Sequence, residues 1–133
     1  MSTKIFVNLP VKDLDRSKAF FVKLGYSFNP KFTDATAACM VISDDIYSML
    51  LTEEKFKSFT KKAIADTNKT TEVLIALSQD SKDKVNEIVD TALTAGATEA
   101  AAPMDHGFMF LRSFNDLDGH TWEIFWMDPQ AAQ

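Results

Sequence analysis

The 133-residue sequence has few of the residues on which covalent and metal-centred chemistry usually depends. Its one cysteine, Cys39, excludes an intrachain disulfide and a cysteine zinc site, and its apolar neighbours predict a buried structural thiol. Only two histidines occur, and neither a glycine-rich phosphate loop nor a nucleophile elbow is present. The sequence therefore contains none of these familiar catalytic motifs.

Long apolar runs and an excess of positive charge are also missing. No run of about 18 apolar residues exists, so we expect no membrane span. The net charge of −5 and the absence of a basic stripe argue against nucleic acid as a partner. The N-terminus enters a strand-like segment at once, so we expect no signal peptide and a cytoplasmic location. The remaining partners are a small molecule or a second copy of the chain.

What the sequence does contain is one order of elements, strand-helix-strand-strand-strand, repeated twice. Asp13 and Ser81 are typical helix N-caps, and Gly25 and Gly96 are typical of helix C-termini. The predicted strands are residues 4–11, 26–28, 37–42 and 46–51 in the first half, and 72–77, 98–100, 108–114 and 121–126 in the second. Modules this small rarely bury their own apolar faces, so we expect the two to pack together.

The segment between the two halves is predicted to be helical. Phe56, Phe59, Ala63 and Ile64 recur there at helical spacing among charged residues. The predicted organisation is one domain spanning residues 1–133, with a first module over 1–52, a linker helix over 53–71 and a second module over 72–133.

Short motifs at both ends of the chain carry a resemblance to a known family. They are Asn-Leu-Pro-Val-Lys-Asp-Leu at 8–14, Leu-Gly-Tyr at 24–26 and Asp-Gly-His-Thr-Trp-Glu at 118–123. The chain resembles the vicinal-oxygen-chelate superfamily, which includes glyoxalase I, extradiol dioxygenases and bleomycin- and fosfomycin-resistance proteins. It looks most like small bacterial predicted lactoylglutathione lyases. The resemblance implies an α+β fold in which two βαβββ modules form a curled mixed sheet around a shared cavity.

The resemblance also implies where a metal would bind, because catalytic members hold a divalent ion with His, Glu or Gln from four strands. Those positions fall on Asn8, near Leu50, near Leu74 and on Glu123. Leucine has no lone pair to donate, and an amide oxygen is a weak ligand for zinc or nickel. We therefore expect no family metal and no cofactor, with a weakly bound, largely hydrated divalent ion through Glu123 as the alternative.

Glu123 is the candidate catalytic residue. Strand alternation places it opposite Trp122 and Trp126, so it faces either solvent or a cavity. A carboxylate in an apolar cavity suits a general base that moves a proton beside a carbonyl. The alternative is a polar plug in the core, neutralised by Arg112 or hydrogen-bonded to Asn8.

A ligand cavity would be lined by polar residues near Glu123 and by aromatic side chains, although most phenylalanines in any protein are simply core. The predicted ligand-binding residues are Asn8, Arg112, Tyr47, Phe56, Phe59, Phe108 and Phe110. The two histidines lack helical ligand spacing, and His120 is expected to face solvent or to cap its loop.

Three functions remain open after these observations. The first is a metal-independent protein that binds a small, partly apolar organic ligand. The second is a lyase or isomerase of the glyoxalase type with Glu123 as general base, whose weakness is the loss of the metal that acts as electrophile. The third is a non-catalytic interaction protein. In each case we expect a homodimer, because short sheets leave edges that a two-fold partner can cover.

Overall fold

A computed structural model of the chain describes residues 2–131, and it shows the predicted repeat. The described chain divides into two compact units, the first ending at Ile64 and the second beginning at Ala65. Each unit contains one strand-helix-strand-strand-strand order and one four-stranded mixed sheet. The longest described helix has 13 residues, and none of the helices within residues 2–131 has the length and hydrophobicity that a membrane span requires.

The first unit contains strands β1 to β4 and helices α1 and α2. Their bounds are β1 Ile5–Val11, α1 Leu14–Lys23, β2 Ser27–Phe28, β3 Ala37–Val41, β4 Ile46–Thr52 and α2 Glu53–Lys57, with a short 3₁₀ turn at Pro30–Phe32. The strand order is β1-β4-β3-β2, with β1 parallel to β4 and the other pairs antiparallel.

Local capping explains where α1 begins and ends. The Asp13 side chain accepts a hydrogen bond from the Arg16 backbone N–H at 3.1 Å, as a helix N-cap does. The chain leaves the helix through Gly25, whose φ of +102° is unfavourable for residues with a Cβ. The helix buries Phe20 and Phe21, each 2% exposed, and these rings form the apolar core of the unit with the buried face of the sheet.

The second unit contains strands β5 to β8 and helix α3. Their bounds are β5 Leu74–Ser78, α3 Lys82–Thr94, β6 Thr98–Asp105, β7 Met109–Asn115 and β8 Thr121–Met127. The strand order is β5-β8-β7-β6, with β5 parallel to β8 and the other pairs antiparallel.

Helix α3 covers one face of the second sheet. Ser81 Oγ accepts a hydrogen bond from the Lys84 N–H at 3.1 Å and begins the helix. Val85 and Val89 of α3 are fully buried, as are Trp122 and Ile124 of β8 at 1% exposed. Since these two β8 residues alternate with Glu123, burial of their face directs Glu123 to the other side of the sheet.

The predicted linker helix over residues 53–71 is wrong over most of its length. Helix α2 ends at Lys57, and residues 58–73 form turns, bends and irregular backbone. The Asp66 carboxylate accepts a hydrogen bond from the Asn68 N–H at 3.0 Å, a local turn that competes with helix. Phe59 is 69% exposed, so the predicted apolar stripe does not form.

The predicted fold class is confirmed: the fold is α+β and is built from two βαβββ modules. Its strands are distributed over two four-stranded sheets, each of which has two open edges. The open edges are β1 and β2 in the first sheet, and β5 and β6 in the second.

Candidate functional site

The face of the second sheet opposite α3 forms the floor of a cavity. Glu123 of β8 pairs with Ser113 of β7, and Thr121 pairs with Asn115, so their side chains share one face of the sheet. The cavity has a volume of about 410 Å³. It is lined by Thr67, Asn68, Lys69, Thr70, Thr71, Leu74, Ala100, Ala101, Ser113, Asn115, Gly119, Thr121 and Glu123. All of these residues belong to the second unit.

Glu123 and Ser113 provide polar groups on the cavity floor. Glu123 is half-buried and Ser113 is 3% exposed. Within residues 2–131, neither the Glu123 carboxylate nor the Ser113 hydroxyl makes a hydrogen bond or ion pair with another side chain or with the backbone. Beside them Thr121 Oγ1 donates to Asn115 Oδ1 at 2.7 Å. The floor therefore presents a carboxylate and a hydroxyl that are free to bind a ligand.

The loop of residues 65–73 forms one wall of the cavity and is fastened to the β7–β8 turn. Thr67 Oγ1 donates to the Asp118 carbonyl oxygen at 2.6 Å. Gly119 makes this approach possible, because a Cβ added there would lie 2.8 Å from Thr67 Cβ and would clash with Thr67 Oγ1. The wall is thus held in place by a specific contact that needs glycine at position 119.

His120 fastens the same loop at a second point. Its side chain is 2% exposed, and its Nδ1 lies 2.6 Å from Glu72 Oε1. The expectation that His120 faces solvent is therefore wrong. It follows a turn, but its ring is buried beside Trp122, and its Nδ1 hydrogen-bonds to the Glu72 carboxylate.

Asp116 organises the turn between β7 and β8, a role that was not predicted. Its carboxylate accepts hydrogen bonds from the backbone N–H groups of Asp118 at 2.9 Å and His120 at 3.0 Å, and from Trp122 Nε1 at 2.9 Å. Burial raises the pKa of the Asp116 carboxyl above its ordinary value. The available sequence signal was an aspartate two residues ahead of Asp118-Gly119, which is typical of an Asx turn.

Arg112 lies on the opposite face of the sheet from Glu123. It pairs with Ile124, and its Nη1 donates to Asn86 Oδ1 at 2.9 Å and Asp90 Oδ1 at 2.8 Å, both on α3. Arg112 therefore does not neutralise Glu123, and it is not among the residues lining the cavity. The partner of Arg112 on β8 is Ile124, which is the neighbour of Glu123. Because neighbouring strand residues point to opposite faces of a sheet, Arg112 and Glu123 lie on different faces.

The predicted aromatic lining is also absent from this cavity. Phe110 pairs with Trp126, and Lys82 Nζ lies 6.0 Å and 5.5 Å from the centroids of the two rings. Phe108 is 51% exposed in the loop before β7, where it stacks on His106. The other predicted ligand-binding residues, Asn8, Tyr47, Phe56 and Phe59, belong to the first unit and are not among the residues lining the cavity.

In the first unit, the strand register revises one expected metal position. Asn8 pairs with Met49 across β1 and β4, whereas Leu50 pairs with Leu9 on the buried face. Leu50 is completely buried, and Asn8 is exposed. The β4 residue that shares a face with Asn8 is therefore Met49 rather than Leu50.

The second unit repeats this arrangement. Ala76 pairs with Glu123 across β5 and β8, and Leu74 pairs with Thr121. The distance along the chain from Ala76 to the N-cap of α3, Ser81, equals the distance from Asn8 to the N-cap of α1, Asp13. Ala76, rather than Leu74, is therefore the residue of β5 that corresponds to Asn8 of β1.

The donor set does not fit the metal that the resemblance implies. The four register-equivalent residues are Asn8, Met49, Ala76 and Glu123. Alanine has no donor atom, a thioether is a soft ligand, and an amide oxygen is weak for zinc or nickel. Within residues 2–131 no cluster of three or more His, Cys, Asp or Glu side chains could hold a metal ion.

Comparison with known proteins identifies the fold. Residues 3–43 match the family model for the bleomycin resistance protein-like N-terminal region. No curated protein sequence matches the chain.

Solved structures resemble the whole chain. A hypothetical protein, SA1046 from S. aureus, is 23% identical with a TM-score of 0.80, covering 95% of this chain and 94% of that one. A glyoxalase/bleomycin resistance protein/dioxygenase family enzyme from Burkholderia phytofirmans is 16% identical with a TM-score of 0.77, covering 95% and 99%. A bleomycin resistance determinant encoded on transposon Tn5 is 18% identical with a TM-score of 0.65, covering 96% and 99%. The resemblance in the sequence is thereby confirmed at the level of the fold, and the chain has the fold of the glyoxalase/bleomycin resistance protein/dioxygenase proteins.

Proposed function

We propose that the protein binds a small organic molecule in the cavity of its second unit, with Glu123 as the principal polar contact. The observation that carries this proposal is the half-buried Glu123 carboxylate, which has no partner within residues 2–131. A carboxylate partly withdrawn from water is unfavourable unless it is paired or hydrogen-bonded. A ligand that donates a hydrogen bond would provide that partner.

The construction of the cavity supports a binding role. Its floor consists of strand residues with fixed register, and its wall is fastened by the contacts of Thr67 and His120. A site on rigid elements loses little conformational entropy when a ligand binds. The volume of about 410 Å³ lies within the usual range of small-molecule sites.

We propose binding without the family metal, rather than catalysis of the glyoxalase type. An isomerase or lyase of that kind needs an electrophile to stabilise negative charge that develops on its substrate. Met49 and Ala76 replace two of the donors that would hold a metal for this purpose. Glu123 could still accept a proton from a substrate, but within residues 2–131 it is not paired with a cationic side chain that could stabilise the negative charge left on that substrate. The fold that the chain shares with a bleomycin resistance determinant is compatible with sequestration of a small molecule.

We also propose that the protein is a homodimer. The exposed face of the first sheet carries Phe6, which is 46% exposed and stacks on Tyr47 with ring centroids 4.7 Å apart. Strands β1 and β5 lie at sheet edges, where the backbone of a second copy could pair. Light scattering should give twice the chain mass, and a monomer mass at micromolar concentration would contradict this proposal.

A cytoplasmic location is proposed from the chemistry of the cysteine. Cys39 is free and 1% exposed, and burial raises the pKa of its thiol. Such a thiol is unreactive and is compatible with a reducing compartment.

A thermal-shift screen of a chemically diverse library, repeated on Glu123→Gln, tests the binding proposal. Hits should bind Glu123→Gln more weakly by about 1–3 kcal/mol, the usual scale for a poorly satisfied buried polar group. Glu87→Gln is the matched control, because it removes the same charge from the exposed surface of α3. Hits whose affinities are the same in both variants would show that binding takes place elsewhere.

A further inference from the structure

We infer that the ligand of this cavity carries a protonated amine together with further hydrogen-bond donors. This inference rests on the proposed function, and it specifies the chemical class of the ligand. A ligand of this class differs from the partly apolar ligand that the sequence predicts.

The charge distribution in the cavity favours a cation at the floor. Glu123 is the one carboxylate among the lining residues, and Lys69 is the one cationic residue. Lys69 is exposed on the loop wall and forms no ion pair with Glu123. A protonated amine beside Glu123 would form a charge-assisted hydrogen bond, which is stronger than a bond between neutral groups. An anion at the same place would be repelled by Glu123.

The hydroxyl groups around Glu123 add hydrogen-bond acceptors. Thr67 and Thr70 each donate their hydroxyl proton to a backbone carbonyl oxygen, at 2.6 Å and 3.0 Å. Thr121 donates its proton to the side chain of Asn115 at 2.7 Å. A hydroxyl has a single proton, so these three oxygens can only accept hydrogen bonds from a ligand.

The lining is therefore rich in acceptors, with a carboxylate on its floor. Its apolar members are Leu74, Ala100 and Ala101, and no aromatic residue is present among the lining residues. A flat apolar molecule would leave the carboxylate and these oxygens without hydrogen bonds, which costs binding free energy. A compact polyol amine, such as an amino sugar, satisfies both the charge and the acceptors within about 410 Å³.

Matched ligand triplets test this inference directly. Each triplet shares one carbon skeleton and presents an amine, an alcohol or a carboxylate at the same carbon, as 6-amino-6-deoxyglucose, glucose and glucuronic acid do at C6. Binding is followed at pH 7 by NMR titration, using the backbone amides of Ser113 and Thr121 as reporters of the cavity. The variants are Glu123→Gln, Glu123→Ala and the control Glu87→Gln, and a dispersed spectrum shows that each is folded.

The amine member of a triplet should bind at least about tenfold more tightly than its alcohol, the scale of one charge-assisted hydrogen bond. Both Glu123 variants should abolish this preference, and Glu87→Gln should retain it. Alcohols or acids that shift the reporters as strongly as the amines would overturn the inference and leave the proposed binding function intact. If no amine in the panel shifts the reporters, the inference is overturned, and hits in the diverse screen then decide the proposed function separately.

Discussion

Substitution of Gly119 by alanine tests whether the cavity wall depends on its contact with the β7–β8 turn. Gly119 has a φ of +82°, and a Cβ there would lie 2.8 Å from Thr67 Cβ. Thr67 would have to move, and its hydrogen bond to the Asp118 carbonyl oxygen would be lost. Gly107 offers a matched control in the same unit, because its φ is +80° and a Cβ there would meet nothing within 4 Å.

The two substitutions share one cost and differ in another. A left-handed backbone costs a non-glycine residue about 1–2 kcal/mol, which applies to both alanine variants. Loss of the Thr67 hydrogen bond adds about 1 kcal/mol in Gly119→Ala alone. We therefore expect Gly119→Ala to lower the free energy of unfolding by about 2–3 kcal/mol, against about 1–2 kcal/mol for Gly107→Ala.

Urea denaturation of both variants measures the difference, and a double-mutant cycle with Thr67→Val assigns it. In the Thr67→Val background the hydrogen bond is already missing, so the excess cost of Gly119→Ala should shrink. NMR should also show shifted resonances along residues 65–73 in Gly119→Ala. Equal destabilisation by the two glycine substitutions, with no change in the loop, would refute this account of the wall.

Four further predictions concern three residues around the site. Asp116→Ala should destabilise the protein by about 2–4 kcal/mol in urea denaturation, because two backbone N–H groups and the indole of Trp122 lose their acceptor. Burial raises the pKa of Asp116, so its protonation favours the folded state; this contribution is present below the ordinary aspartate pKa and is lost as pH rises through the folded pKa. Asp116→Asn should accordingly flatten the unfolding free energy against pH in the acidic range. Arg112→Gln should lower stability, since Arg112 bonds to α3, and should leave ligand affinity unchanged by calorimetry. Lys69→Gln should strengthen binding of the amine probes up to a few-fold, because it removes a like charge from the wall, and NMR titration measures this.

The features that the sequence predicted well are those decided by local physics. The caps at Asp13 and Ser81 and the glycines that end both helices depend on neighbouring backbone groups, and they are where the pattern placed them. The orientation of Glu123 also follows from a local rule, because strand residues alternate between faces.

The features that the sequence missed depend on register and on tertiary contacts. The predicted metal position near Leu50 in β4 is one residue away from Met49, the residue that pairs with Asn8. A shift of one residue along a strand moves a position to the opposite face of the sheet, here to the buried face. The burial of His120 depends on Glu72, which lies 48 positions away along the chain. The spacing of apolar residues predicted a helix through residues 53–71. Instead, the hydrogen bond to Asp66 forms a local turn, and the hydrogen bond from Thr67 attaches the loop to the β7–β8 turn.

The most direct test of the account is a crystal structure of the protein with the tightest amine from the triplet panel. The account predicts the amine nitrogen about 2.7–3.2 Å from a Glu123 carboxylate oxygen. It also predicts that ligand donors bond to the hydroxyl oxygens of Thr70 and Thr121. An amine bound outside this cavity, with Glu123 contacting only solvent, would contradict the claim that Glu123 is the polar contact of a ligand site.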